Sequence, residues 1–339
     1  VSAIMVSMQT LGVLSMQKLI RRTALLAFAA IAAFGAGAQT GPAGQPPLRL
    51  IVPFTPGTGI DLIARTVGPK LGERLGRAVV VDNRAGASGN IGTEAVVRAA
   101  PNGQTLLVSV NTLVMNASLY PKLPFDPVKD LVPVSLTSWG QLLLVANPKS
   151  GFHHAGDLIK AAKANPGRIN YASPGVGTPH HLSMELFKAT NGVFLTHIPY
   201  RGTAGAVTDV LGGQVDTMFL PIHVALPHVK AGKLVALGIG SDKRHPLLPQ
   251  VPTLAEAQAG KVNVDMWYGI FAPPGSSPEF VARLNQELKD ILAQPEVRTA
   301  FQTQGMDPAS SSPGEFQRLV AQDAQRWARL IKSQGITAD

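Results

Sequence analysis

Three short segments of this 339-residue chain carry the residue types that bind anions: Phe54-Thr55-Pro56-Gly57-Thr58-Gly59-Ile60-Asp61, Ser173-Pro174-Gly175-Val176-Gly177-Thr178-Pro179 and Tyr200-Arg201-Gly202-Thr203-Ala204-Gly205. Each lies where an extended run gives way to a helical one. Glycine lets backbone N–H groups approach a ligand closely. A helix start offers N–H groups without an intrahelical partner and a partial positive charge. Together they make a site for a carboxylate or phosphate. Thr178 is a good helix N-cap, and Pro179 suits the first helical position. Ordinary strand-to-helix turns also favour Gly and Thr, so one such loop means little and three carry the argument. Arg201 is the one basic residue in the three segments, so main-chain N–H groups are expected to dominate and arginine to be secondary.

Other chemistries find less support. There is no Gly-x-Ser-x-Gly elbow and no Gly-x-x-x-x-Gly-Lys-Ser/Thr loop. Gly175-Val176-Gly177 continues to His180 where a dinucleotide fingerprint needs glycine. His153-His154 and His180-His181 are adjacent pairs, and His223 and His228 lie five apart with Pro227 between, so none has the i, i+4 spacing of a helical metal site. They are read as solvated or helix-packed, with no metal and no cofactor expected. Asp61 reads as a first-turn dipole partner. Asp216 reads either as a strand-end residue at a cleft or as a turn residue. No nucleophile–base pair is evident.

The elements that must position these loops alternate. Residues 48–52, 78–81 and 105–110 are predicted strands, separated by helices over 61–75 and 91–99. The middle repeats the theme: strands at 142–146, 169–172, 196–200, 215–220 and 234–239, with helices at 155–164, 179–190 and 204–211. The tail is helical at 278–293 and 314–333, with Arg283, Glu287 and Asp290 read as a solvated face. Such alternation predicts an α/β fold with parallel or mixed sheets. The tail helices cannot form a core alone, so they must pack on an earlier lobe. The expected architecture is therefore discontinuous: lobe 1 from 39–147 and 268–339, lobe 2 from 148–267, joined by two crossover strands that act as a hinge.

Net charge is +9, yet Lys18, Arg21 and Arg22 account for three of the basic residues; without them 27 basic residues face 21 acidic ones, a balance of +6. The charge is dispersed, with no basic run and no helix-turn-helix pattern, so no nucleic-acid partner is expected. The chain has no cysteine, which excludes disulfides, thiolate metal sites and lipidation at an N-terminal Cys. Residues 16–38 read as a secretory signal: Lys18, Arg21 and Arg22, an apolar run from Thr23 to Phe34, then Ala36-Gly37-Ala38. Cleavage is expected after Ala38, giving a periplasmic protein that begins at Gln39. The residues before Met16 read as upstream of the true start.

Seven motifs, in order, resemble one known family. They include Val52-Pro53-Phe54 through Asp61-Leu62-Ile63-Ala64-Arg65, Val81-Asp82-Asn83-Arg84-Ala85-Gly86 through Gly92, and Leu119-Tyr120 through Pro127. Tyr171 through Leu182 with Glu185-Leu186-Phe187, Pro199-Tyr200-Arg201-Gly202 through Asp216, Pro252 through Glu256, and Trp267 through Gly275 complete the set. The chain resembles the Bug receptors, the periplasmic solute-binding components of tripartite tricarboxylate transporters. The resemblance implies a two-lobed periplasmic binding protein fold (Venus-flytrap, type II-like) and no enzymatic activity. It implies capture of a small organic acid in the interlobe cleft for uptake or sensing, and membrane subunits of such a transporter as partners of a monomer. It places Phe54, Thr55, Gly57, Thr58 and Asp61 opposite Ser173, Gly175, Gly177 and Thr178 around one carboxylate, with Asn111, Thr112 and Asp216 lining the remainder; the loop composition adds Arg201 as a candidate ligand-binding residue. One position departs from the family pattern: Thr58 interrupts the glycines and Ile60 replaces a hydroxyl residue. The rival readings are an exported α/β enzyme acting on a small acid and the effector-sensing domain of a regulator.

Overall fold

The computed structural model describes residues 45–120 and 122–337; the signal segment read at 16–38 and the cleavage site after Ala38 lie outside the described residues. In chain order the elements are β1 (Leu48–Val52), α1 (Gly59–Leu75), β2 (Val79–Asn83), α2 (Asn90–Val97), β3 (Thr105–Val110), α3 (Thr112–Leu119), β4 (Val132–Gly140) and β5 (Leu142–Ala146). There follow α4 (Ala155–Ala164), β6 (Asn170–Ser173), α5 (Pro179–Asn191), β7 (Thr196–Pro199), α6 (Thr203–Gly212), β8 (Thr217–Pro221), α7 (Ile222–Lys230) and β9 (Val235–Ile239). The chain closes with β10 (Met266–Ala272), α8 (Pro278–Ala293), α9 (Pro295–Thr303), β11 (Met306–Pro308) and α10 (Pro313–Ser333).

These strands form two sheets. The first has the order β11-β4-β10-β3-β1-β2 and the second β7-β6-β8-β5-β9. β1 pairs in parallel with β2 and β3, and β6 with β7 and β8, as right-handed strand–helix–strand units require. β10 runs antiparallel to both β3 and β4, and β5 to both β8 and β9. β5 and β10, each paired on both sides, are buried at every residue, so they read as unbroken apolar runs.

The chain passes from the first sheet to the second at Gln141, between β4 and β5, and returns through residues 240–265. The expected boundary at 147 gave Leu142–Ala146 to lobe 1, but that strand hydrogen-bonds wholly within the second sheet. The two crossings run side by side: Gly240 N–H donates to the Leu142 carbonyl at 2.8 Å, and Gln141 Nε2 to Ser241 Oγ at 3.1 Å.

The tail packs on the first sheet. α10 buries Phe316, Val320, Trp327 and Ile331 along one stripe, the spacing of a core-facing helix. Its Phe316 ring packs against Trp267 and Phe271 of β10 with centroids 5.4 and 4.9 Å apart. Gly269 makes room for that ring, since a Cβ there would lie 2.0 Å from Phe316 Cζ. Asp323, on the same buried stripe, accepts a hydrogen bond from Trp267 Nε1 at 2.8 Å. Glu287 and Asp290 of α8 are not simply solvated: Arg74 of α1 bonds both, Asp290 at 2.7 Å, and so ties the tail to the first lobe.

Candidate functional site

A narrow pocket lies between the sheets. It spans about 450 Å³, part of it open to solvent. The first-sheet side contributes Phe54, Thr58, Gly59, Ile60, Val110, Thr112, Met266 and Tyr268; the second contributes Pro174, Thr178, Pro179, His180, Thr203, Pro221, His223 and Val224. No Lys, Arg, Asp or Glu is among them.

The backbone explains what this pocket can hold. Five helices, α1, α3, α5, α6 and α7, start at it. Their N-cap residues are Thr58, Asn111, Thr178, Gly202 and Pro221, and none makes a side-chain capping bond. Away from the pocket, Ser277 and Ser312 cap α8 and α10 in the usual way. The first-turn N–H groups of a helix have no intrahelical partner. Five such ends leave donors and partial positive charge pointing at one place, which suits an anion.

The predicted site residues divide into groups. Phe54, Thr58, Thr112 and Thr178 line the pocket. Thr112 Oγ1 is buried with no hydrogen-bond partner. Thr178 Oγ1 donates to the Gly175 carbonyl at 2.8 Å, shaping its own turn. Asn111 stands behind the pocket, its Nδ2 bonded to the Asp265 carbonyl at 3.1 Å.

Gly57 and Asp61 bind each other. The Asp61 carboxylate is buried and accepts from Gly57 N–H, Arg65 Nε and Asn83 Nδ2, each at 3.0 Å. Burial alone would raise its pKa; the bonds to Arg65, Gly57 and Asn83 outweigh burial and hold it below the usual carboxylate value. This is the first-turn role read from the sequence, and it orders the loop behind Thr58.

Gly175, Gly177 and Thr55 mark where the lobes meet. A Cβ on Gly175 would lie 2.9 Å from Ser88 Oγ, and one on Gly177 2.5 Å from Leu119 Cδ1; Gly202 faces Thr55 in the same way at 3.2 Å. The glycines of the second lobe thus let the first lobe close on them. Gly177 N–H is already taken by His181 Nδ1 at 3.2 Å. A latch spans the seam: Ser88 Oγ donates to the Val176 carbonyl at 2.7 Å, and Tyr120 Oη bonds Ser88 Oγ at 3.2 Å. Arg201 is exposed and lines an outer hollow with Gly86, Ser88 and Gly175, which shares Phe54 and Pro174 with the inner pocket.

Asp216 is not in the pocket. It precedes β8 at the end opposite Pro221, about 16 Å away at ~3.3 Å per strand residue. There its carboxylate accepts from Asn170 N–H at 2.9 Å and its own N–H donates to Asn170 Oδ1 at 2.9 Å, a clip between strands.

The fold does create one Ser–His contact that the sequence did not reveal. Ser173 Oγ lies 2.7 Å from His197 Nε2. The pair lines neither hollow at the seam, and Ser173 is fully buried. The His197 ring is stacked between Tyr171 and His181, at 4.7 and 4.3 Å, and among the described residues no carboxylate hydrogen-bonds it. Burial, then the neighbouring His181, pushes its pKa down to about 3; the ring edges a separate surface hollow with His181 and Glu185, while the Ser173 hydroxyl it bonds belongs to a fully buried residue. Among the described residues no group of three His, Cys, Asp or Glu side chains could hold a metal ion.

Sequence reasoning missed Gly59, His180, His223, Met266 and Tyr268. A Cβ on Gly59 would fall 2.9 Å from Tyr268 Oη and 3.0 Å from His223 Cε1, so glycine there lets both side chains reach the start of α1.

Comparison with known proteins agrees with this geometry. Residues 63–336 match the family model described as the tripartite tricarboxylate transporter family receptor. BugT of Bordetella pertussis is 38% identical over 291 residues, covering 85% of this chain and 89% of BugT. The periplasmic binding protein BugD superposes with a TM-score of 0.82 at 32% identity, covering 86% of this chain and 99% of BugD. Rpa4515 of R. palustris, solved with adipate, gives 0.82 at 31% identity, covering 86% and 97%. The chain belongs to the tripartite tricarboxylate transporter receptor family, whose members are periplasmic solute-binding receptors and not enzymes.

Proposed function

We propose that the chain captures one small organic carboxylate outside the cytoplasm, in the pocket between its lobes, and presents it to the membrane subunits of a tripartite transporter. The observation that carries this is the convergence of five helix starts, all without side-chain caps, on a pocket without charged side chains. A carboxylate there is held by main-chain N–H groups and helix ends. Arg201, at the outer hollow, biases the field without touching the ligand. In this reading lobe 1 comprises residues 46–140 and 266–337, lobe 2 residues 142–239, and Gln141 with the neighbouring Gly240–Ser241 backbone forms the hinge. The adipate held by Rpa4515 supports a carboxylate as the ligand class.

Thermal or chemical denaturation of protein stripped of ligand, screened against mono-, di- and tricarboxylates and aromatic acids, tests the reading. A ligand at ~100 times its Kd stabilises the fold by about 2.7 kcal/mol. No shift across the panel, or chemical turnover of the acid, overturns it. Export is tested separately. Intact-mass analysis of periplasmic protein should give a monomeric chain beginning at Gln39, and retention of residues 16–38 refutes cleavage after Ala38.

A further inference from the structure

The pocket has a polar corner that the carboxylate reading leaves unused. His180 is the second residue of α5, His223 the second of α7, and Tyr268 comes across from β10. Both ring nitrogens of His180 and Nε2 of His223 are buried and have no hydrogen-bond partner. Tyr268 Oη finds only the Met266 sulfur, at 3.7 Å, a weak acceptor. Gly59 brings two of these groups together: its Cβ position is 2.9 Å from Tyr268 Oη and 3.0 Å from His223 Cε1. Thr112 Oγ1, also unpartnered, lines the same pocket. Buried polar atoms without partners are costly, and several on one pocket wall point to a ligand group that satisfies them.

The chemistry of that group follows from what the corner offers. A neutral imidazole presents one donor and one acceptor, and hydroxyls present both. An ionised carboxylate only accepts, so it would leave the acceptor nitrogens unmet. A second negative charge would also need a cation, since burying an unpaired charge costs far more than burying a dipole. No Lys or Arg lines the pocket, and the imidazoles do not supply the charge. Burial, with the neighbouring His223 adding to it, pushes His180 down to about 3, and burial pushes His223 down to about 4.

Resting on the carboxylate function proposed above, we propose that His180, His223 and Tyr268 form a specificity corner that selects monocarboxylates carrying a distal hydroxyl group over dicarboxylates. The rest of the wall, Phe54, Ile60, Val110, Pro174 and Val224, is apolar and fits the carbon frame between the two ends.

Calorimetry on ligand-free protein with matched acids decides it: 6-hydroxyhexanoate, adipate and hexanoate, and the rigid pair 4-hydroxybenzoate and terephthalate. The hydroxy acid of at least one set should bind tenfold or more tighter than its diacid and its unsubstituted partner. Titration in two buffers of different ionisation enthalpy should show no proton uptake between pH 6 and 8. His180→Leu should lower the ratio of hydroxy-acid to hexanoate affinity at least tenfold, and His180→Gln, which keeps a donor and an acceptor, should restore part of it. Diacids that bind as tightly as the hydroxy acids, or that bind with uptake of about one proton, overturn the inference while leaving the carboxylate function standing. If no carboxylate in any set binds, the function itself fails. Should His180→Leu not fold, the wild-type pairs still decide.

Discussion

Replacing Gly177 with alanine separates lobe closure from simple loss of stability. Gly177 has φ of +80°, and an L-residue there costs about 1–2 kcal/mol of backbone strain whether the lobes are open or closed. The new methyl carbon would also sit 2.5 Å from Leu119 Cδ1 and 2.9 Å from Asn116 Oδ1. Both neighbours belong to α3 of the opposite lobe and have little room to yield. Leu119 is 3% exposed, and Asn116 is held through its Nδ2 by the Ser88 carbonyl at 2.9 Å and Asn90 Oδ1 at 2.7 Å. Overpacking of this kind costs about 1–3 kcal/mol, and it acts only when the seam is shut. Binding draws on the closed form, so the penalty passes into affinity as a loss of roughly 5- to 150-fold, at about tenfold per 1.4 kcal/mol. Gly151→Ala is the control: its φ is +75°, and a Cβ there meets nothing within 4 Å. Calorimetry with the best carboxylate, beside urea unfolding without ligand, reads both terms. The two variants should lose similar unliganded stability, and only Gly177→Ala should lose affinity. If Gly177→Ala binds within twofold of the parent chain, or Gly151→Ala weakens binding equally, the closing role of Gly177 is wrong.

Ser88→Ala removes the 2.7 Å bond to the Val176 carbonyl; at about 0.5–1.5 kcal/mol for a hydrogen bond, ligand affinity should fall about two- to tenfold with unliganded stability nearly unchanged, and the reverse pattern refutes the latch. Trp267→Phe strips a buried partner from Asp323 and should cost about 1–3 kcal/mol in urea unfolding; a loss below about 0.5 kcal/mol shows that the bond carries nothing. His180 and His181 are buried and pushed down to about 3 and about 4, mainly by burial. Below about pH 6.5 the unfolded chain takes up protons on them that the folded chain refuses, so stability falls with falling pH, by up to about 1.4 kcal/mol per pH unit for each. Equal urea midpoints at pH 7 and pH 5 would show that these rings are not held neutral.

What could be read from the residues was what one local signal decides. Strands β1, β3 and β5 and helices α4 and α8 fall at their predicted bounds, because each is an apolar run or an amphipathic stretch bounded by Gly, Pro or Asn. The elements that escaped are those where a local signal pointed the wrong way. β4, the longest strand, reads Val-Pro-Val-Ser-Leu-Thr-Ser-Trp-Gly, and its proline and hydroxyl residues hide a strand paired on both sides. α3 is buried on nearly every face, so its sequence shows no helical period. α7 contains Pro227, which reads as a breaker, although the helix has run more than a turn before reaching it. That misreading also hid His223, since without a helix start at Ile222 nothing places its ring against Gly59.

The same division holds for the site. Glycine, threonine and proline at a strand-to-helix turn announce a helix start, so Thr58 and Thr178 were within reach, whereas Thr112 came from the family resemblance alone. Which of those starts converge on one pocket depends on the crossings at Gln141 and Gly240, and pairs such as Gly177 with Leu119 or Gly59 with His223 join residues of opposite lobes. A glycine read alone says only that backbone freedom or space is needed. Gly57 uses the freedom, with φ of +84° and open space around it, whereas Gly59 and Gly269 have no positive φ and use the space for a tyrosine and a phenylalanine ring. Gly177 uses both, and for that reason its substitution distinguishes a glycine that shapes a loop from one that lets two lobes meet.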